Sequence, residues 1–528
     1  MSLQPILVGG RWQVRGTEAA SFRAVNPATR ETLPDGYPVS DEAVLEEALA
    51  AGKEAAVALR PVPPEAIARF LELCAEQVEA RTDALVEMAH VETAFPKEPR
   101  LRSVELPRTT GQLRQAAGAA RDRSFCRATI DTRANIRSMH GPLGSPVVVF
   151  GPNNFPFAFN GIMGGDFAAA IAAGNPVIGK ANPSHPGTTR LLAEAAFDAV
   201  KAAGLPLATV QLIYRVPGDL GLKLVAHPLI GATGFTGSRK AGLKLKAAAD
   251  AAGKPIYLEM SSVNPVFILP GALAERSDEI ANELFASCSL GAGQFCTNPG
   301  ISVVVASDAG EAFASSVKRL FESKPPGTLL GEAGPTDIAA SVATLTASGA
   351  IVLTGGKEAT EAGFSFQNTL LRVSGARFLE RASALQTEAF GTVHLMIFAK
   401  DVDEMVRIAD HLEGNLTGCL YTHRGGQDDA ACDQVASTLR PRVGRLLNDK
   451  MPTGVAVSPA MNHGGPFPAT GHPVFTAVGI PASIGRFTAL HCYDGVRASR
   501  LPPELRDENP LGIWRFVDGN WTQGVVSV

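Results

Sequence analysis

Between Pro146 and Thr236 the chain repeats one rhythm, a short apolar run of strand length followed by a helical stretch. The runs are Val147 to Gly151, Val177 to Lys180, Val210 to Tyr214 and Gly231 to Thr236. The helical patterns cover Gly161 to Ala173, Gly187 to Ala203, Leu220 to Ala226 and Ala241 to Ala252. Apolar runs this short are buried on both faces, and the helices between them supply the crossovers that parallel pairing needs. The pattern predicts an α/β fold with a doubly wound parallel sheet, whose ligands bind at the carboxyl ends of its strands. The GxGxxG dinucleotide fingerprint is absent, so no standard Rossmann motif accompanies that sheet. A second α/β block runs from Asn264 to about Gly465, with apolar runs at Val303–Val305, Ile351–Leu353, Val393–Ile397 and Thr417–Tyr421.

The flanking segments read differently. Short strands and turns are predicted from Leu7 to Pro38, then helices from Ser40 to Ala58, Pro64 to Arg81, Thr82 to Glu92 and Pro99 to Ala120. Alternation returns at Ala128 to His140, a strand pair with one wet face that serves either assembly or as an ordinary edge. Beyond Gly471 the chain reads as irregular, ending in an acidic tail with aromatic residues from Leu501 to Val528.

Charge and cysteine usage narrow the classes. The 528 residues carry a formal net charge of −4 without a basic patch, which argues against nucleic acid or a membrane surface as partner. No apolar stretch approaches the roughly 18 residues of a membrane span, and Met1 to Gly10 shows no secretory pattern. Seven scattered cysteines argue against a disulfide framework and for a reducing, cytoplasmic setting. Without a CxxC pair or a His/Cys cluster at zinc-ligand spacing, no metal is expected.

Five stretches place polar groups on Gly- or Pro-marked turns beside apolar runs. In Gly293-Gln294-Phe295-Cys296-Thr297 small neighbours let a ligand approach the sulfur, which makes Cys296 the candidate nucleophile. In Pro152-Asn153-Asn154-Phe155-Pro156 an amide at a strand end either donates to an oxyanion or caps the next helix. Lys180 follows an apolar strand, where its ammonium suits ribose hydroxyls or phosphate if it is not merely solvated surface. Gly237 and Ser238 open a helix and offer either a seat for a pyrophosphate or a simple cap. Glu259 interrupts an apolar run, as a general base or as a buried carboxylate bonded to backbone. In addition to these five, near Thr387 to Gly391, Glu388 could bridge ribose hydroxyls while Phe390 flanks a planar cofactor.

Taken together and in order, Pro152–Pro156, Lys180–Pro186, Phe235–Gly242, Leu258–Pro265, Gly293–Thr297 and Glu388–Phe390 resemble the aldehyde dehydrogenase superfamily over roughly residues 5 to 480. The resemblance implies Cys296 as nucleophile, Glu259 as general base and Asn154 as oxyanion donor. It implies Lys180 and Glu388 on ribose hydroxyls, Gly237 and Ser238 near a pyrophosphate, and Phe390 beside the nicotinamide ribose. It also implies a cofactor domain at 1–127 and 142–262, a catalytic domain at 263–475, oligomerisation elements at 128–141 and 476–500, and a tail at 501–528, in a homodimer or homotetramer. Within the superfamily, Gly293 to Gly300, Asn264 to Phe267 and His463 to Thr470 look most like the 2,5-dioxovalerate (α-ketoglutarate semialdehyde) dehydrogenases, a group that also resembles a long-chain fatty aldehyde dehydrogenase. Coenzyme-A-acylating relatives form a further alternative, against which Glu259 speaks. A thiol hydrolase would need a histidine beside Cys296, for which His394, His463 and His472 are available.

Where NAD-preferring relatives carry a glutamate, this chain has Pro183, followed by Ser184 and His185. Losing a carboxylate removes its repulsion of a 2′-phosphate, and Arg215 or Arg239 could pair with one, so NADP is expected to be accepted and preferred over NAD. The substrate, a small-molecule aldehyde, is expected to meet an apolar wall that includes Phe155, Phe159, Phe295 and Phe467. Arg108, Arg114 and Arg445 remain unranked candidates for reading a substrate carboxylate.

Overall fold

The computed structural model describes residues 3–526. Its first sheet runs in the order Ile256–Glu259, Ala232–Thr236, Val147–Phe150, Val177–Lys180, Val210–Ile213, Ile6–Val8 and Arg11–Gln13. The first five strands pair in parallel, and the last two form an antiparallel ribbon on the edge. The strand Val147–Phe150 leads outward on one side to Val177–Lys180 and Val210–Ile213; the chain then returns to lay Ala232–Thr236 on its other side. That reversal opens a crevice at the carboxyl ends of these strands. Register lines those ends up, with Phe150 opposite both Lys180 and Phe235, and Thr236 opposite Glu259.

The second sheet has the order Ile351–Thr354, Thr369–Ser374, Val393–Ala399, Ile301–Val305, Val266–Ile268, Asn415–Tyr421 and Val443–Asn448. Only its first pair is antiparallel. Alternate residues enter different cores: Val303, Leu371, Leu395 and Ile397 pack in one, and Val304, Leu370, Met396 and Phe398 in another. A strand's two-residue side-chain period requires this when both faces are covered.

Helices Glu42–Leu59, Pro64–Ala80, Thr82–Thr93 and Leu106–Asp122 flank the first sheet. Asp41 caps the first of these by accepting from the Val44 amide at 2.9 Å, as the acidic start of that segment predicts. The run expected to be helical from Pro99 differs. Lys97–Glu105 forms a wider, irregular helical turn, and regular α-helix begins only at Leu106. Pro99 and Pro107 lack the amide hydrogens a continuous ladder needs.

The segment beyond Gly471, read as irregular, also differs. Thr488–Asp494 pairs antiparallel along the whole of Ile136–Pro142. Arg515–Val517 pairs in parallel with Thr129–Asp131 and hairpins onto Asn520–Thr522. The C-terminal segment thus completes a five-stranded sheet with the predicted hairpin instead of trailing as a tail. Arg515–Val517 is too short to show a period, and it and the seven-residue Thr488–Asp494 both pair with a hairpin more than 300 residues earlier in the chain. Among the described residues, no helix is long and apolar enough to cross a membrane.

Candidate active site

The cysteine loop hangs between helix Pro270–Ser289 and the central strand Ile301–Val305. Gly293 has φ +74°, and a Cβ there would stand 2.1 Å from the backbone carbon of Gly391. Only glycine permits both that conformation and that approach. Asn264 pins the loop from below, its Nδ2 donating to the carbonyls of Cys296 and Asn298 at 2.9 Å each. Gln294 Oε1 accepts from the Leu330 amide at 2.9 Å. Cys296 is therefore held on a rigid turn, its sulfur facing the carboxyl ends of the first sheet.

A cavity of about 280 Å³ opens there, lined by Pro152, Asn153, Asn154, Thr236, Gly237, Ser238, Glu259, Met260, Ser261, Cys296, Asp337, Glu388 and Phe390. Seven residues singled out from sequence thus meet in one space: Asn154, Gly237, Ser238, Glu259, Cys296, Glu388 and Phe390. Asn154 is buried, and its Nδ2 donates to the Gln294 carbonyl at 2.9 Å, which ties the amide to the cysteine loop. Ser238 caps helix Arg239–Ala251, so the start of that helix, with its amides and positive dipole end, faces the cavity. Burial raises the Glu388 carboxyl, whose Oε1 accepts from the Ser262 amide at 3.3 Å. A helix N-terminus for phosphate and a buried carboxylate for hydroxyls, set beside an aromatic ring, suit a dinucleotide.

The remaining cofactor candidates lie apart from this cavity, further along the same sheet edge. Lys180 ends its strand with its ammonium 5.9 Å from the centre of the Phe150 ring, and burial together with Arg215 lowers its pKa to about 8. Arg215 is exposed just after the neighbouring strand. Ser184 is half-buried, its amide donating to Asn182 Oδ1 at 3.0 Å. His185 turns inward, its Nε2 2.9 Å from the Pro152 carbonyl, and pins the Asn154 loop. Arg239 is engaged by Glu413 at 2.8 Å. Of the two arginines considered for a 2′-phosphate, only Arg215 is thus clear of a carboxylate partner among the described residues.

A third group stands next to the sulfur, one of the three histidines named from sequence only for a thiol hydrolase. His463 Nε2 stands 3.4 Å from Cys296 Sγ and 2.9 Å from Glu259 Oε1. Glu259 and His463 are both buried, and the reactive atoms of all three residues lie within 4.8 Å of one another. Sequence spacing showed no such cluster because its members are 37 and 167 residues apart along the chain. Burial and the facing Glu259 carboxylate push the Cys296 thiol well above its ordinary pKa, partly countered by Arg108. The resting sulfur is therefore a thiol that must hand its proton to a neighbour. His394 lies elsewhere, bonded to Pro299 and Ser302, and His472 faces the Ile256 carbonyl.

Beside the sulfur, Phe155, Phe159 and Phe295 pack with Phe475, Ala477 and Val478 into an aromatic cluster. Phe155 meets both other rings edge-on, with centroids 5.2 and 5.3 Å apart. Phe467, expected in this wall, is not there: its side chain is 64% exposed. The chain crosses the surface at Phe467, whose carbonyl accepts from the Gly414 amide, before it turns inward to bring Ala469 onto Met260.

Comparison with known proteins accords with this geometry. Residues 13–465 match the aldehyde dehydrogenase family. "Alpha-ketoglutaric semialdehyde dehydrogenase 2" of Azospirillum brasilense is 38% identical over 98% of this chain and 99% of its own length. "Alpha-ketoglutaric semialdehyde dehydrogenase" of Acinetobacter baylyi is 34% identical over 95% of this chain and 97% of its own. Among solved structures, a mutant of aldehyde dehydrogenase C from Pseudomonas syringae with NAD+ and octanal superposes with a TM-score of 0.80 at 21% identity, covering 94% of this chain and 98% of that one. Lactaldehyde dehydrogenase from Escherichia coli gives 0.79 at 20% identity, covering 93% and 99%. This chain belongs to the aldehyde dehydrogenase family and is an NAD(P)-dependent aldehyde oxidoreductase.

Proposed function

We propose that this enzyme oxidises α-ketoglutarate semialdehyde (2,5-dioxopentanoate) to the dicarboxylic acid through a thioester on Cys296. The observation that carries the chemistry is the meeting of Asn154, Glu259 and Cys296 in one cavity with a helix N-terminus and Glu388. The substrate follows from the two full-length relatives at 38% and 34% identity.

His463 takes the thiol proton across 3.4 Å, and the neighbouring Glu259 carboxylate steadies the imidazolium. The Cys296 thiolate attacks the aldehyde carbon and forms a thiohemiacetal. The Asn154 amide and the Cys296 backbone N–H donate to the oxyanion; one such donor contributes about 2.7–4 kcal/mol. The nicotinamide dinucleotide, when bound, would supply the hydride acceptor, and loss of hydride from the thiohemiacetal carbon leaves a thioester on Cys296. Glu259 then removes a proton from water, whose oxygen attacks the thioester carbon and releases the acid and the thiol.

Gly237, Ser238, Glu388 and Phe390 would hold the cofactor in the cavity, with Lys180, Ser184 and Arg215 at its adenosine end. With Pro183 in place of a carboxylate and Arg215 free of an acidic partner among the described residues, NADP is the preferred form, with NAD accepted. The exposed strand Thr488–Asp494, with Leu490 on its outer face, supports assembly as a homodimer or homotetramer. Seven free cysteines support a reducing, cytoplasmic setting.

A panel of semialdehydes and aliphatic aldehydes, each assayed with NADP and with NAD, tests this reading. The highest kcat/KM is expected for 2,5-dioxopentanoate with NADP. Activity confined to long-chain aldehydes would sink the substrate, and a more than tenfold advantage for NAD would sink the cofactor preference.

A further inference from the structure

The three arginines left unranked by sequence have different fates in the fold. Arg114 lies on the surface, held by Glu79 at 2.6 Å. Arg445 is committed to backbone, donating to the carbonyls of Pro452 and Gly454. Arg108 differs from both. It projects from helix Leu106–Asp122 into the aromatic cluster, its guanidinium 5.7 Å from the centre of the Phe155 ring and 5.2 Å from that of Phe159. Nη1 donates to the Val455 carbonyl at 2.6 Å. Nε and Nη2 are buried and have no hydrogen-bond partner among the described residues.

Those two nitrogens form one edge of the guanidinium. Their parallel N–H groups match the two oxygens of a carboxylate, the strongest bidentate pairing available to a side chain. Leaving such donors buried and unmatched is costly, so a free edge of this kind points to an occupant. Arg108 also lies close enough to Cys296 and Glu259 for their charges to act on it. The neighbouring Arg100 cannot serve in the same way, because Glu105 neutralises it and it is bonded to the Asn154 carbonyl.

We propose that the free Nε/Nη2 edge of Arg108 receives the distal carboxylate of the substrate, so that the enzyme selects short aldehydes ending in a carboxylate. The inference rests on the semialdehyde reading above and names the residue that enforces it. The Phe155 and Phe159 rings pack against the guanidinium from adjacent directions, and Val455 holds it by Nη1, which leaves the reading edge pre-oriented. A purely aliphatic aldehyde would cover that edge and satisfy none of it.

The test compares Arg108→Met and Arg108→Lys with the wild type, on succinic semialdehyde and 2,5-dioxopentanoate against butanal and pentanal. In Arg108→Met the ratio of kcat/KM for carboxylate-bearing over neutral aldehydes is expected to fall on the order of 10²-fold. Arg108→Lys, which keeps the charge but loses the fork, should recover part of it. An equal loss on both substrate types would overturn the proposal, because Arg108 would then act through the thiol or the fold. Should Arg108→Met fail to fold, an unchanged ratio in Arg108→Lys would overturn it as well. A wild-type enzyme indifferent to the carboxylate would instead refute the semialdehyde reading itself.

Discussion

Replacing His463 by Gln removes the group that stands between the nucleophile and the base. In the resting enzyme the thiol is held protonated by burial and by the Glu259 carboxylate, so deprotonation depends on a local acceptor. A thiolate and an imidazolium 3.4 Å apart attract each other by about 5 kcal/mol at an effective dielectric of about 20. Desolvation of the buried imidazolium offsets part of that, while Glu259 at 2.9 Å restores some of it. A net contribution of about 3–4 kcal/mol remains, which corresponds to roughly 10²–10³ in thiolate population and lies within the usual range for a general base. His463→Gln should therefore slow both Cys296 alkylation by iodoacetamide and the single-turnover burst of reduced cofactor by about that factor at neutral pH. Alkylation should recover as pH rises, since hydroxide can then do what the imidazole did. Unchanged alkylation and an unchanged burst would refute the role of His463, and a loss that no pH restores would point to a collapsed site instead.

Glu259→Gln acts in the opposite direction on the thiol. Removing the facing negative charge should move Cys296 alkylation to lower pH while thioester hydrolysis stalls, so a stoichiometric burst is followed by turnover slowed at least about 10²-fold. Loss of the burst itself would contradict that division of labour. Lys180, lowered to about 8, is cationic below that pH and loses its charge above it. The KM for NADP should accordingly rise as pH climbs through about 8, and Lys180→Met should flatten the profile. Gly293→Ala would set a Cβ 2.1 Å from Gly391 at a positive φ. Strain of about 1–3 kcal/mol or more should lower the melting temperature and displace Cys296, with kcat falling together with stability.

Much of this molecule is written locally. The apolar runs at Val177–Lys180 and Ala232–Thr236, the acidic cap at Asp41 and the glycines around Cys296 each act through neighbours a few residues away. Strand–helix alternation implies a parallel sheet, and a parallel sheet brings the carboxyl ends of its strands to one edge. Asn154 and Ser238 follow such ends and Glu259 closes one, so their convergence is legible in the sequence.

What the tertiary structure alone decided depends on contacts between distant segments. His463 reaches Cys296 only because the chain returns from the second sheet to the end of the first, where Thr470 bridges Glu259. Phe467, four residues further on, is carried to the surface by the same crossing. The strands at Thr488–Asp494 and Arg515–Val517 exist through pairing with a hairpin more than 300 residues earlier, which no local period records. Arg108, Arg114 and Arg445 are equivalent cations in the sequence, and their fates part because one meets Glu79, one meets two carbonyls, and one enters an aromatic pocket with an edge left free. Local periodicity and turn chemistry determine which elements form and which ends can react. Burial and partner geometry determine which side chains meet there, because desolvation and hydrogen-bond satisfaction are properties of the packed whole.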